Sequence, residues 1–288
     1  MTPSKSNKSL AEHYVEFKEK GYTLFEGVYT PEDIELHKET YHRLFESVKG
    51  TAFETRWFAN TCELAPTQML PAVANPLIMD FAELVLGPFV QLDNLSLAGF
   101  PPTSKAEAQG KVSGWHRDRW AAFPSTEDYV SPLSINAISY LQELTDEYGP
   151  LRVIPGSHRQ KVYINKEDRN KPHRDEQVLN LKAGDVAVTH NGLIHSGTPN
   201  TSGDTRYFFS VYYNKSWLKP TDNHNGPNVQ GIIKDARSRN DHRILRLFGV
   251  DEQLDVRANS GFLDADEQLW AQWAAADKAA IRIGEGER

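Results

Sequence analysis

Gly114-Trp-His-Arg-Asp-Arg-Trp120 is the stretch on which the reading of this 288-residue chain turns. Within it His116 and Asp118 stand two apart, and on a β-strand residues two apart point to the same face. An imidazole and a carboxylate placed in that way converge on one ion. A second imidazole is offered by His195 inside Gly192-Leu-Ile-His-Ser-Gly197, far enough along the chain for several strands to intervene. Two imidazoles and one carboxylate on one face of an octahedron leave the opposite face open. That is the donor set of non-haem Fe(II) oxygenases, which must hold a cosubstrate and dioxygen at the same ion.

The tripeptide alone is weak evidence, since a composition with ten histidines gives about 0.6 chance copies of His-x-Asp. A second copy, His173-Arg-Asp175, lies in the almost wholly charged segment Asn165–Gln177, which contains Pro172 and lacks apolar alternation. It reads as a solvated loop. His-Arg-Asp also occurs in the catalytic loop of protein kinases, but there is no Asp-Phe-Gly, no suitable Gly-rich loop and no Asn at the required place after Asp118.

Composition narrows the classes. A net charge of −7 with no Lys/Arg block argues against nucleic acid or an anionic membrane as the main partner. No run of eighteen apolar residues supports a membrane span, and no internal repeat supports a solenoid. The segment Met1–Lys8 has no apolar core after its lysines, so it does not read as a secretory signal. Cys62 is the single cysteine; with no intrachain disulfide possible, a cytoplasmic setting is expected and Cys62 reads as a small buried apolar residue. Nothing in the sequence sets an oligomeric state.

Ser9-Leu-Ala-Glu12 has capping-box spacing and predicts a short helix ending at Gly21, followed by a strand Tyr22–Phe25. Thr30 with Pro31 predicts the start of a second helix whose apolar face is Ile34, Tyr41, Leu44, Phe45 and Val48, running up to Gly50 and covering the outside of a sheet. From about 90 to 217 the texture becomes short β-rich runs between turn residues, as in an all-β sandwich or barrel. The clearest are Val90–Phe100, Leu133–Leu141, Leu151–Pro155, Asp185–Thr189 and Arg206–Tyr213. Leu263–Ile281 reads as a helix in which Leu269, Trp270 and Trp273 serve packing.

Two longer strings, Phe17-Lys-Glu-Lys-Gly-Tyr22 and Tyr148-Gly-Pro-Leu-Arg-Val-Ile-Pro-Gly-Ser-His158, together with the ligand motifs, resemble the phytanoyl-CoA dioxygenase family of Fe(II)/2-oxoglutarate oxygenases over roughly residues 15 to 217. The resemblance implies a double-stranded β-helix, or jelly roll: mainly β with flanking helices, the His-x-Asp pair and the distal His at one open end. One domain over 1–288 is expected, with a helical cover over about 1–89, a jelly-roll core over about 90–217 and a C-terminal extension over 218–288. It implies Fe(II) held by His116, Asp118 and His195, with 2-oxoglutarate and dioxygen as cosubstrates, and oxidation of a small molecule coupled to release of succinate and carbon dioxide. Halogenases related to this family have a small residue at the position of Asp118, so a carboxylate there favours hydroxylation or another oxidation.

Arg206 follows the turn Pro199–Asp204 and opens an apolar strand. One reading has its guanidinium hold the distal carboxylate of 2-oxoglutarate; the other is a structural ion pair with Asp185 or Asp204. Asn136 can donate to 2-oxoglutarate from inside the barrel, although the alternation of Ile135, Ala137 and Ser139 with Asn136, Ile138 and Tyr140 leaves open which face is inward. His190 reads as structural or as a support behind the metal ligands, His158 as stabilising the turn it ends, and His224 lies in a Gly/Asn/Pro-rich loop. Thr55–Phe58, Arg117, Arg119, Trp120 and the His224 loop are candidate substrate-pocket segments. Two other functions remain open: a cupin-like metal-dependent hydrolase or isomerase with Arg206 structural, and a small-molecule-binding protein without turnover on the same scaffold.

Overall fold

The computed structural model describes residues 8–259, 263 and 265–282. They form two compact units: one runs up to Phe58 and from Ser96 to Ser210, and the other takes Ala59–Leu95 and the chain from Val211 onward. Every residue of the candidate metal centre belongs to the first.

Nine strands are present among the described residues: β1 (Tyr22–Phe25), β2 (Trp57–Phe58), β3 (Val90–Phe100), β4 (Ser134–Tyr140), β5 (Leu151–Val153), β6 (Gln177–Leu179), β7 (Val186–His190), β8 (His195–Gly197) and β9 (Arg206–Lys215). The larger sheet has the order β1-β7-β4-β9-β3-β2 and the smaller one β6-β5-β8. In the antiparallel register Asn136 and Tyr22 both sit opposite Thr189 on β7, while Val153 sits opposite His195. β5 stops short of the predicted Pro155, because proline has no N–H for the ladder.

The face of β4 that the alternation left open is settled by its contacts. Ile138 and Tyr140 pack with Ala187 and Phe208 of the larger sheet and with Leu151, Val153 and Leu179 of the smaller one. Asn136 shares their side of the strand and therefore faces the interior between the two sheets.

Helix α1 (Leu10–Lys20) carries the expected capping box of Ser9 and Glu12, and its end falls at Gly21 with φ +83°. A Cβ at Gly21 would lie 2.5 Å from His158 Nδ1, so close packing as well as backbone conformation requires glycine there. Helix α2 (Pro31–Val48) starts at the Thr30 cap and buries Ile34, His37, Thr40 and Tyr41. Its His37 and Tyr41 rings meet Phe209 at 4.8 Å and Tyr207 at 5.1 Å. These β9 residues alternate with Phe208, so α2 covers the outer face of the sheet, as its amphipathic pattern predicts.

The second unit is mostly helical, with helices at Pro66–Val73, Pro76–Leu86, Pro227–Ser238, His242–Leu247, Gln253–Ala258 and Asp266–Ala280. The last begins three residues later than the pattern predicts, and residue 264 of that prediction lies outside the described residues. Leu269 is buried and Trp273 meets Phe89 edge-on at 6.2 Å; Trp270 stands so close to Gly87 that a Cβ there would lie 2.7 Å from the indole. The tryptophans are packing residues. Arg246, 1% exposed, pairs with Asp251 and Asp277 at 2.8 Å, and Arg257 pairs with Asp277 at 2.6 Å, which keeps these buried charges compensated. Among the described residues no single helix is long and apolar enough to cross a membrane.

Candidate metal centre and its pocket

The backbone brings the ligands together before their side chains do. His116 and His195 form an isolated antiparallel bridge, with N–H to O distances of 3.1 and 3.0 Å. The expectation that His116 and Asp118 share a face of a regular strand is corrected here. Only His116 makes the bridge; Asp118 already belongs to a loop, its N–H donating to Asn191 O at 2.9 Å. Two tethers impose this departure. Arg117 Nε donates to Gly192 O at 3.0 Å and its Nη2 to Ser157 O at 3.3 Å, while Asn191 Nδ2 donates to Arg119 O at 3.0 Å. Trp120, at φ +62°, then turns the chain away.

One ligand atom each from His116, Asp118 and His195 lies within 4.8 Å of the others. His195 Nε2 stands 3.7 Å from Asp118 Oδ1, and the two imidazole rings are 4.3 Å apart. His116 Nδ1 contacts Gly114 O at 2.9 Å and His195 Nδ1 contacts Leu193 O at 3.0 Å. A carbonyl oxygen only accepts, so each Nδ1 carries the proton and each Nε2 keeps its lone pair. A fixed tautomer and ring orientation of this kind is what a ligating histidine obtains from its outer partners. Burial, and next the adjacent His195 imidazole, hold His116 below its ordinary pKa, partly opposed by Gly114 O. The neutral ring is the form that binds a metal. His195 is buried and His116 is exposed, so the cluster opens on the His116 side. Two imidazole nitrogens and a carboxylate oxygen match Fe(II) in chemistry as well as in number.

Arg206 heads β9 and is 7% exposed. Its Nη1 donates to Tyr148 O at 3.1 Å, Thr198 O at 2.8 Å and Gly149 O at 2.5 Å; its buried Nε has no acceptor. The ion pairs considered from the sequence are not formed. Asp185 instead accepts from the N–H groups of Gly27 and Lys182, both at 2.9 Å, and Asp204 accepts from Tyr148 OH at 3.4 Å. Burial lowers the Arg206 pKa, with Tyr140 acting in the opposite direction. Carbonyl dipoles offset part of the cost of burying the guanidinium but supply no counter-charge. Gly149 has φ +80° and its Cβ would come 2.7 Å from Arg206 Nη1, so the Tyr148-Gly-Pro150 string shapes this seat for the arginine.

Asn136 Oδ1 accepts from Ser210 Oγ at 2.7 Å. Ser210 and Tyr140 are interior polar residues that the sequence reading did not single out; the available signal was their i+2 spacing from Phe208 and Ile138 on strands. In His173-Arg-Asp175 the exposed Arg174 pairs with its neighbour Asp175 at 3.3 Å, while the half-buried His173 ring meets Trp115 edge-on at 6.3 Å. His190 and His158 bond Val130 O at 3.1 Å and Lys18 O at 3.0 Å and are structural. His224 belongs to the second unit, where its ring meets Phe248 edge-on at 5.3 Å. Trp57 donates to Ser96 Oγ at 2.9 Å and leans on Phe208 at 5.4 Å.

Beside the ligands lies a cleft of about 260 Å³, lined by His116 and Arg117 with Trp115, Phe123, Tyr163 and Ile194 among its walls. Phe123 and Tyr163 are in ring contact at 4.8 Å.

Comparison with known proteins agrees with this geometry. The phytanoyl-CoA dioxygenase (PhyH) family model matches residues 17–208. The probable alpha-ketoglutarate-dependent hypophosphite dioxygenase of Stutzerimonas stutzeri is 26% identical over 233 residues, 70% of this chain and 78% of that one. The L-proline trans-4-hydroxylase of Streptomyces griseoviridis is 28% identical over 174 residues, 50% of this chain and 61% of that one. Among solved structures, the epimerase SnoN in complex with Fe3+, alpha ketoglutarate and nogalamycin RO superposes with a TM-score of 0.57 at 21% identity, covering 74% of this chain and 86% of its own. At that identity the likeness shows a shared jelly-roll fold.

Proposed function

The chain belongs to the phytanoyl-CoA dioxygenase family of iron- and 2-oxoglutarate-dependent oxygenases, and on that premise we propose that it hydroxylates an unactivated C–H bond of a small molecule, releasing succinate and carbon dioxide. The observation that carries this reading is the conjunction of the three converging ligands with a buried Arg206 that has no anionic partner among the described residues. His116, Asp118 and His195 are the residues that would hold Fe(II). Bound iron with 2-oxoglutarate and dioxygen supplies the oxidising chemistry. The protein's own part is to hold both imidazoles neutral through Gly114 O and Leu193 O and to keep Asp118 in the ligand set. Arg206 takes the distal carboxylate of 2-oxoglutarate on its free edge, supplying the charge pairing that the carbonyls lack. Asn136 faces the same interior and orients the cosubstrate by a hydrogen bond.

Hydroxylation is preferred to the outcome named for the epimerase because the relatives with the higher identities are named a dioxygenase and a hydroxylase. A cupin-like hydrolase or isomerase needs no anion on Arg206, and a binding protein without turnover needs no intact ligand set.

The test is an anaerobic titration of the purified apoprotein with Fe(II) and then 2-oxoglutarate. The expected result is the weak visible charge-transfer band of a chelated keto acid. Fe(II) binding without that band would overturn the reading in favour of the cupin-like one.

A further inference from the structure

The cleft beside His116 contains a positive charge that the protein does not compensate. Arg117 is half-buried. Its Nε and Nη2 donate to the carbonyls of Gly192 and Ser157, and its guanidinium carbon stands 5.2 Å from the centre of the Phe123 ring. Carbonyls and a ring face are dipoles and quadrupoles, not anions. Among the described residues Arg117 has no carboxylate partner, and the two N–H groups of Nη1 have no acceptor. No residue lining the cleft is acidic, and the neighbouring Asp118 is occupied in the ligand cluster. The opposite side of the cleft is aromatic, with Trp115, Phe123 and Tyr163.

We propose that Arg117 is a substrate-binding residue, and that the substrate is a small organic acid whose carboxylate rests on Arg117 Nη1 while its apolar part lies against Phe123 and Tyr163. The inference rests on the oxygenase reading, since it places the bond to be oxidised beside the metal held by His116. A volume of about 260 Å³ lies just below the range of drug-sized ligand sites, which limits the substrate to a compact molecule. Specificity follows from the same arrangement. An uncharged isostere leaves the half-buried guanidinium without its anion, and loss of one charge-assisted contact weakens binding by about tenfold or more.

The experiment uses the full-length protein loaded anaerobically with Fe(II) and 2-oxoglutarate. The visible band is recorded first, so that failure of the oxygenase reading is seen separately. Paired probes are then titrated, benzoate with benzamide, hexanoate with hexanamide and N-acetylglycine with its amide, following perturbation of the band and the thermal midpoint. The expected result is that at least one carboxylate binds about tenfold or more tightly than its amide. Arg117→Gln should abolish that preference in protein that still forms the band, and Arg117→Lys, which keeps the charge, should restore part of it. Because Arg117 also ties two loops, Arg117→Gln is open to misfolding, and Tyr163→Ala serves as the second variant. Tyr163 is 73% exposed, so its truncation weakens acid and amide alike and leaves their ratio intact. A formed band with acids and amides binding equally, or with no carboxylate binding at all, overturns the proposal and leaves the oxygenase reading standing. An acid preference that is lost in Arg117→Gln and not restored in any part by Arg117→Lys overturns it as well.

Discussion

His116 and His195 are joined by a reciprocal pair of backbone hydrogen bonds, 3.1 and 3.0 Å long, while each Nδ1 is held by a carbonyl two residues earlier in its own segment. The main chain therefore fixes both the separation and the tautomers of the two imidazoles. Preorganisation of this kind lowers the cost of bringing ligands to a metal.

Replacing His116, Asp118 or His195 singly by Ala should weaken Fe(II) binding by at least about 100-fold, since even the outer partners of such ligands contribute 10–100-fold. His173→Ala should leave it unchanged, because that ring is half-buried edge-on against Trp115 and stands outside the converging cluster. Calorimetric titration of Fe(II) under argon distinguishes them. Retained binding in His116→Ala together with loss in His173→Ala would mean that the other tripeptide holds the metal.

Arg206→Ala should raise the apparent Kd for 2-oxoglutarate by about 100-fold, the loss expected for a two-point ionic contact, with Fe(II) affinity little changed. Gly149→Ala should act in the same direction without touching the charge. Its Cβ would crowd Arg206 Nη1 at 2.7 Å and its φ of +80° disfavours any side chain. Both are read from the midpoint of the charge-transfer band. An unaltered midpoint in Arg206→Ala removes the clamp assignment.

What the sequence made legible was local or periodic. The α1 and α2 starts at Ser9 and Thr30 are built from side chains within three residues of each other, and β3, β4 and β9 follow from apolar alternation. The three side chains that converge, His116, Asp118 and His195, were legible as a group because they are chemically unusual in their contexts. Their backbone setting was not. Asp118 leaves the ladder because Asn191, Gly192 and Ser157, distant in sequence, tether its neighbours. The partners of Arg206 were equally hidden, since main-chain carbonyls of Tyr148, Gly149 and Thr198 leave no mark in residue identity. Nor does alternation alone tell which side of β4 faces the smaller sheet; packing of Ile138 and Tyr140 against Leu151 and Val153 decides it.

Asn136 offers a test of that inward face. Asn136→Ala should raise the 2-oxoglutarate Kd by about tenfold, the value of one buried hydrogen bond, and leave Fe(II) binding intact. Ser210→Ala should have a smaller effect, since Ser210 Oγ only steadies the amide by its 2.7 Å bond to Oδ1. Equal cosubstrate affinity in Asn136→Ala and wild type would reduce Asn136 to a core residue.

Acid should destabilise the protein through a histidine pair close behind the ligand strand. His190 and His158 are 6% and 8% exposed with their rings 4.9 Å apart. Burial, then the neighbouring His158, brings the His190 pKa down to about 3; burial, reinforced by Arg159 and opposed by Lys18 O, brings His158 down to about 4. His190 Nδ1 also accepts from Gly192 N at 2.9 Å, a bond that a second ring proton would break. Folded-state values below the unfolded one mean that the unfolded chain binds more protons between them. The stabilisation is therefore fully present above pH of about 6.5 and is lost as pH falls toward the folded values, at up to about 1.4 kcal/mol per pH unit for each histidine. Urea unfolding followed between pH 7 and pH 5 should show this slope, and His190→Gln should make it shallower by up to one histidine's share. An unchanged slope in the variant would place the acid sensitivity elsewhere in the fold.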